Sequence, residues 1–181
     1  MSKCSSHIQS MKKCYKSISH RDTTFKEKIC YAVFPDGKKE RHQNRIPVNV
    51  LKEFETELIK KEKNISAARN FKELHDIIEE IGRKHKGIGP LTIYDTAQRY
   101  GEQNDVYPEE VYLHAGTKVG ALNAGLIKKY SREKTLTMSE VLQKHNWLNG
   151  LTAHNVEDFL CACKESPTKE SLKRYLEERC K

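Results

Sequence analysis

The stretch at residues 77–100, IIEEIGRKHKGIGPLTIYDTAQRY, carries the strongest structural signal in the chain. Apolar residues lead into it at helical spacing, at Phe71, Leu74, Ile77, Ile78 and Ile81. This pattern predicts a helix that ends near Gly82. Pro90 is typical of a first helical position, and Gly101 is typical of a helix stop. We therefore predict a second helix from Pro90 to about Tyr100, joined to the first by a glycine-containing turn.

The turn itself, Gly87-Ile88-Gly89, has the composition of an anion-binding turn. Glycines allow positive φ and let a phosphate approach the main chain with no Cβ in the way. The first N–H groups of the following helix lack intrahelical partners, and the positive end of the helix dipole favours an anion. We expect Ile88 to insert between the two helices and hold the turn in place.

Basic residues flank this turn, namely Arg83, Lys84 and Lys86. They would attract the same phosphate, although such contacts set position and affinity without selecting a base. Thr92 is a further candidate for a side-chain contact, or it supports the first turn of the second helix. The predicted backbone-binding residues here are thus Lys84, Lys86, Gly87, Ile88, Gly89 and Thr92.

Residues 77–100 resemble the helix-hairpin-helix DNA-binding motif, whose hairpin typically has the pattern Gly-hydrophobic-Gly followed by a helix. The resemblance implies binding to the nucleic-acid backbone, duplex DNA in the first place, with little dependence on sequence. It leaves open a monovalent cation at the hairpin; no other cofactor and no metal is expected. The alternative is a tight corner between two helices that binds no ligand and serves only as part of a protein-interaction module.

A wider resemblance, to DNA glycosylases of the helix-hairpin-helix superfamily, can be tested residue by residue. Bifunctional members keep a lysine nucleophile two residues after the second glycine, where this chain has Leu91. The family's essential Asp falls at or near Glu109, which makes Glu109 the candidate catalytic residue of a glycosylase-like enzyme without a lysine nucleophile. The residues themselves favour a simpler role: Pro108 opens a helix, and Glu109 and Glu110 complement its dipole.

Residues 114–122, HAGTKVGAL, form a second unusual stretch. Its small residues suit close helix packing, and we expect them to pack against the hairpin. Thr117 is expected to cap a short helix that extends to about Lys128. The functional alternative is a second anion site, with Thr117 and Lys118 at the start of that helix. His114 is expected to be a hydrogen-bonded polar residue and not a general base.

The remaining patterns indicate a mainly α protein: a helical array that contains the hairpin motif and a small β-hairpin near the N-terminus. Helical spacing covers residues 7–19 and the segment from Pro47 to about residue 60. The β-hairpin is predicted from residues 28–34 and 41–45, on either side of a Pro-Asp-Gly turn. Three later helices are expected, from Ser139 towards Trp147, from Thr152 towards Cys163, and from Ser166 onwards.

Charge divides the chain unevenly. The net charge is +8, and residues 1–69 carry all of it, with 16 Lys and Arg against 8 Asp and Glu, whereas residues 70–181 carry 17 of each sign. A basic segment beside a balanced one favours a polyanionic partner. We therefore distinguish a basic N-terminal region, 1–69, from a helical domain, 70–181, and expect them to form one compact unit.

The longest apolar run, residues 29–34, is far shorter than the roughly 20 residues that cross a bilayer. The N-terminus lacks the apolar segment of a secretion signal. We expect a cytoplasmic protein with no membrane partner and with reduced cysteines. The set Cys4, His7, Cys14 and His20 matches no common zinc-finger spacing. The sequence therefore argues against a membrane protein and against a secreted disulfide scaffold.

Overall fold

The computed structural model describes residues 23–179, and within this range the chain forms nine α-helices, three short 3-10 helices and two strands. The mainly α fold class is confirmed. The helix predicted over residues 7–19 and the set Cys4, His7, Cys14 and His20 lie outside the described residues. Over the described range, every helix falls short of the length and hydrophobicity that crossing a bilayer demands.

The described residues divide into two compact units, 23–107 and 108–179. The change in charge at residue 69 therefore falls inside the first unit. Five α-helices make up this unit: α1 (Phe25–Val33), α2 (Val48–Lys60), α3 (Glu62–Ser66), α4 (Phe71–Gly82) and α5 (Pro90–Glu102). Helices α2, α4 and α5 confirm the predicted segments.

Helix α1 occupies the place of the predicted β-hairpin, and that prediction was wrong. Thr24 caps the helix: its hydroxyl accepts the Glu27 N–H at 3.3 Å, and the Glu27 carboxylate accepts the Thr24 N–H at 2.6 Å. Ile29, Ala32 and Val33 lie at helical spacing and are fully buried. The cap and the buried face outweigh the β propensity of this segment. Short 3-10 helices follow at Pro35–Gly37 and Arg41–Gln43.

The core of the first unit lies where α1 and α4 pack against α5 and where α2 packs against both α1 and α4. Helix α2 contributes Leu51, Phe54 and Leu58, all fully buried. Tyr94 of α5 is also buried, with its ring edge-on to Phe71 of α4 at 5.8 Å. This core holds the ends of α4 and α5 that carry the glycine turn.

The second unit contains a small sheet and four helices: β1 (Glu110–Tyr112), α6 (Ala115–Asn123), β2 (Thr135–Thr137), α7 (Met138–Lys144), α8 (Ala153–Ala162) and α9 (Lys169–Arg179). The strands are antiparallel, with Val111 opposite Leu136. The prediction of a helix that begins at Pro108 was therefore wrong. Buried Val111 and Leu136 lie on one face of a strand pair, a tertiary contact that overrides the helix-start signal at Pro108.

Helices α7, α8 and α9 begin close to the predicted positions, whereas α6 begins and ends earlier than predicted and α7 ends earlier. Thr152 caps α8, since its hydroxyl accepts the Asn155 N–H at 3.2 Å. Helix α6 starts at Ala115, two residues before Thr117, and it ends at Asn123, well before the predicted end near Lys128. Helix α7 stops at Lys144, and a 3-10 helix, Asn146–Leu148, takes the place of its predicted last turn.

Close contact between α6 and α8 organises the second unit. A Cβ built on Gly120 would collide with the Leu160 carbonyl oxygen, and one built on Gly116 would lie 2.5 Å from Cys161 Sγ. The small residues of α6 thus serve close packing as predicted, but these approaches are to α8, which was not the expected partner. The far side of α8 carries Phe159, whose ring meets Trp147 edge-on at 6.0 Å.

Candidate nucleic-acid interface

Helices α4 and α5 are joined by residues 83–89, and Ile88 lies in the contact between them. Ile88 is 8% exposed. A Cβ on Gly82, the last residue of α4, would lie 3.0 Å from Ile88 Cγ2 and 2.9 Å from Ile93 Cγ1. Glycine at position 82 therefore lets the end of α4 approach the turn closely. The predicted insertion of Ile88 between the helices is confirmed.

The two turn glycines have different backbones and share an open outer surface. Gly87 has φ +105°, a left-handed conformation that favours glycine, and the nearest atom to a Cβ built there is Ile46 Cγ2 at 3.9 Å. Gly89 is extended, with φ −102° and ψ 174°, and a Cβ built on it meets no atom within 4 Å. The space in front of this turn is thus available to a ligand.

Gly89 is also the N-cap residue of α5, and no side chain caps the helix. The first intrahelical bond is donated by Ile93 N–H to the Gly89 carbonyl oxygen at 3.1 Å. Within residues 23–179, the N–H groups of Gly89, Leu91 and Thr92 have no hydrogen-bond partner. Donors of this kind, at the positive end of a helix dipole, are groups that favour an anion.

Thr92 supports the helix from inside. The residue is 3% exposed, and its carbonyl oxygen accepts a hydrogen bond from the Thr96 hydroxyl at 2.7 Å. Of the two roles predicted for Thr92, support of the first helical turn fits this burial, whereas a side-chain contact to a ligand would require the hydroxyl at the surface.

The basic side chains beside the turn are exposed. Lys84 Nζ lies 3.2 Å from Glu80 and Arg83 lies 2.8 Å from Glu79, one helical turn earlier in each case. Lys86 is exposed and has no ion pair within the described residues. Exposed pairs of this kind are worth no more than about 1 kcal/mol, so a phosphate can replace either carboxylate at little cost.

One acidic group, Glu57, interacts electrostatically with the basic residues before the turn. The hydrogen bond from Lys60 is the main cause that holds the pKa of Glu57 below its ordinary value, and the neighbouring His85 and Lys84 lower it further. Of the three basic residues that flank the turn, Arg83 and Lys84 are in ion pairs, and Lys86 is the one with no ion pair within the described residues.

Two residues near the turn were missed at the level of sequence. The ring of His85 meets Phe54 edge-on at 5.9 Å, and its Nε2 atom is buried with no hydrogen-bond partner. Exposed Arg45 immediately precedes Ile46, the residue nearest to Gly87. No local signal links Arg45 to the turn, because it lies about 40 residues away in the sequence and only its neighbour Ile46 packs near Gly87.

The turn thus brings together Lys84, Lys86, Gly87, Ile88, Gly89 and Thr92. The other two predicted residues belong to the second unit. Glu109 is exposed in the loop before β1, so the helical first turn expected around it does not exist. Lys118 is half-buried on α6, and its ammonium group donates to the Ser131 carbonyl oxygen at 2.7 Å.

Comparisons with models of protein families, with curated proteins and with solved structures found no match to this chain.

Proposed function

We propose that the chain binds the backbone of duplex DNA through residues 83–92, in the manner of a helix-hairpin-helix motif. The observation that carries this proposal is the set of N–H groups at Gly89, Leu91 and Thr92 that have no partner within residues 23–179, together with the open space in front of Gly89 at the start of α5. Such groups bind phosphate oxygens well, because the helix dipole adds to the hydrogen bonds.

The charges and the glycines support the same proposal. Lys86 and Lys84 are exposed beside the donors and add Coulomb attraction for a polyanion. Gly89 has no Cβ that would hold a phosphate away, and the buried side chain of Ile88 packs near Gly82 and holds the turn in place. All of these groups recognise phosphate and none of them selects a base, so we expect little sequence preference.

The proposal includes no chemical step. Leu91 stands where bifunctional glycosylases carry a lysine nucleophile. Glu109, the carboxylate that the resemblance suggests, is exposed and precedes a strand. Binding, and not base release, is therefore the function that the residues of the turn favour.

The test is the affinity for a fluorescent 20-base-pair duplex at several salt concentrations, measured by anisotropy. We expect log Kd to rise steeply with log salt, because each phosphate contact releases condensed counterions. Lys84→Ala/Lys86→Ala should weaken binding and reduce the salt slope by about 1 to 2, close to the roughly 0.9 per lost contact. Competition with single-stranded DNA and duplex RNA would identify the preferred nucleic acid.

The matched control is Lys169→Ala/Lys173→Ala, which removes two exposed lysines from α9 and lowers the net charge from +8 to +6, as the first variant does. If binding depends on the turn, the control should keep the affinity and the slope of the parent. Equal losses in the two variants would show attraction to total charge alone. Binding that is absent at low salt would leave the turn as a corner between helices.

A further inference from the structure

A cluster of polar side chains lies where α6 and α8 meet in the second unit. His114 Nε2 is 2.5 Å from Glu157 Oε1, and the Thr117 hydroxyl donates to the same oxygen at 2.7 Å. The Cys161 sulfur completes the group: one ligand atom each from His114, Glu157 and Cys161 lie within 4.8 Å of one another. An imidazole, a carboxylate and a thiol from two packed helices thus converge at one point.

Burial sets this cluster apart from an ordinary surface pair. The side chains of His114 and Glu157 are 3% and 6% exposed, and Thr117 is fully buried. Removing a carboxylate from water is costly unless it is paired or binds a metal. Cys161 is half-buried, and it provides the side from which an ion can enter.

We propose that His114, Glu157 and Cys161 bind a divalent transition-metal ion, for which Zn²⁺ has the matching ligand preferences. Zn²⁺ takes imidazole nitrogen, carboxylate oxygen and thiolate sulfur in tetrahedral sites with bonds of about 2.0–2.3 Å. Such bonds place the ligand atoms roughly 3.3–3.5 Å apart, inside the 4.8 Å limit observed. The His114–Glu157 pair would separate by less than about 1 Å to admit the ion.

Binding of the ion exchanges protons for bonds to the metal. Zn²⁺ forms bonds to the Cys161 sulfur, to His114 Nε2 and to Glu157 Oε1, as the thiol proton leaves for the buffer and any proton on Nε2 moves to Nδ1 or to the buffer. The Thr117 hydroxyl remains hydrogen-bonded to the carboxylate and orients it, as outer-shell partners commonly do. This site is independent of the proposed DNA binding, since it uses none of the residues of the turn.

A second group of potential metal ligands lacks the burial and the thiol that favour metal binding in the first cluster. His75, Asp76 and Glu79 also bring their ligand atoms within 4.8 Å of one another. There the carboxylates are held by cations that cannot be metal ligands, Asp76 by Lys72 at 2.5 Å and Glu79 by Arg83 at 2.8 Å, whereas the ion-pair partner of Glu157 is His114, itself a potential ligand. That group has no thiol, and Asp76 is 53% exposed. We expect no tight site there.

The experiment titrates the reduced, tag-free full chain with Co²⁺ and then displaces it with Zn²⁺. A thiolate ligand gives Co²⁺ a charge-transfer band in the near ultraviolet, and tetrahedral geometry gives intense visible bands. We expect one equivalent to bind with both signatures. Zn²⁺ should also raise the melting temperature, because an ion that binds only the folded state stabilises it.

The variants assign the ligands. Cys161→Ser should abolish the charge-transfer band and weaken Co²⁺ binding at least about 100-fold, since even outer-shell partners are worth 10- to 100-fold. Cys163→Ser is the matched control two residues away, where burial raises the pKa of the thiol. Cys4→Ser/Cys14→Ser controls for the two N-terminal thiols outside the described residues. Both controls should keep the band.

Three outcomes would overturn the proposal: no stoichiometric Co²⁺ binding by the folded chain, a band that survives Cys161→Ser, or a band that disappears in Cys4→Ser/Cys14→Ser. Circular dichroism checks that each variant is folded. If Cys161→Ser is unfolded, Cys161→Ala and His114→Gln provide the same test. Retention of the parent's Co²⁺ affinity by both would equally overturn the site.

Discussion

Gly87 and Gly89 lie in the turn between α4 and α5, whereas Gly116 and Gly120 lie inside α6, and the two pairs differ in what surrounds them. A Cβ at Gly89 would enter open space, and one at Gly87 would reach only Ile46 at 3.9 Å. A Cβ at Gly120 would enter the backbone of α8. The second pair is therefore needed by the fold. The first pair is needed for a backbone conformation at Gly87 and leaves an outer surface that the fold does not use.

The largest effect of a glycine substitution on stability is expected at Gly120. In an open helix, Gly→Ala stabilises by about 1 kcal/mol. Here the added methyl group meets the Leu160 carbonyl, which is backbone and cannot rotate away, so we expect Gly120→Ala to lower the free energy of unfolding by about 2–3 kcal/mol. Urea denaturation measures the change. A stability equal to or above that of the parent would show that α6 and α8 are not in this close contact.

Gly116→Ala should cost less, about 1 kcal/mol, because its methyl group meets the Cys161 sulfur at 2.5 Å and that side chain can move. The sharper test is the sign of the effect in a second background. With Cys161→Ala already present, Gly116→Ala should become neutral or stabilising. An equal loss in both backgrounds would place the strain elsewhere.

Alanine variants of Gly87 and Gly89 test whether the turn glycines differ from those of α6. Gly87→Ala should destabilise by about 1 kcal/mol, because alanine disfavours φ +105°. Gly89→Ala should change stability by less than about 0.5 kcal/mol, since its φ is ordinary and its surroundings are open. If the turn binds phosphate, both variants should weaken duplex DNA binding several-fold. Parent-like affinity in a folded Gly89→Ala protein would remove the turn from the binding surface.

The smallest expected effect is an absence of chemistry at Leu91. Incubation with abasic duplex DNA and borohydride should trap no covalent adduct through this turn, because leucine cannot form a Schiff base. Gel electrophoresis after denaturation detects such adducts. A trapped adduct would mean that another amine attacks the sugar, and Leu91→Lys offers a positive comparison for the position itself.

The success of the sequence in predicting α4, the turn and α5 has a local cause. The apolar spacing of Phe71 to Ile81, the proline at position 90 and the glycines all act within one or two helical turns. The same local reasoning failed at residues 28–34, where β-prone Ile29 and Val33 lie in a helix whose start depends on Thr24 and Glu27. Those two residues have the spacing of a capping box, so the start of this helix is also encoded locally.

Other features could not have been found without the fold. The pairing of Val111 with Leu136 joins segments 25 residues apart, and it converts the region after Pro108 from a predicted helix into a strand. Glu157 meets His114 only because two glycines bring α8 against α6. Ile46 packs near Gly87 from about 40 residues earlier in the chain. Each of these depends on a contact between distant segments, which spacing in the sequence does not encode.

Trp147 is the single tryptophan of the chain, and its ring rests edge-on against Phe159 of α8. Its fluorescence therefore reports on the packing of residues 108–179, while the first unit contributes only tyrosine emission from residues 23–107. Far-ultraviolet circular dichroism, in contrast, follows the helices of both units. Overlaying the two denaturation curves would show whether the units unfold in one cooperative transition or in two. The molecule thus contains its own optical probe for one half of its structure.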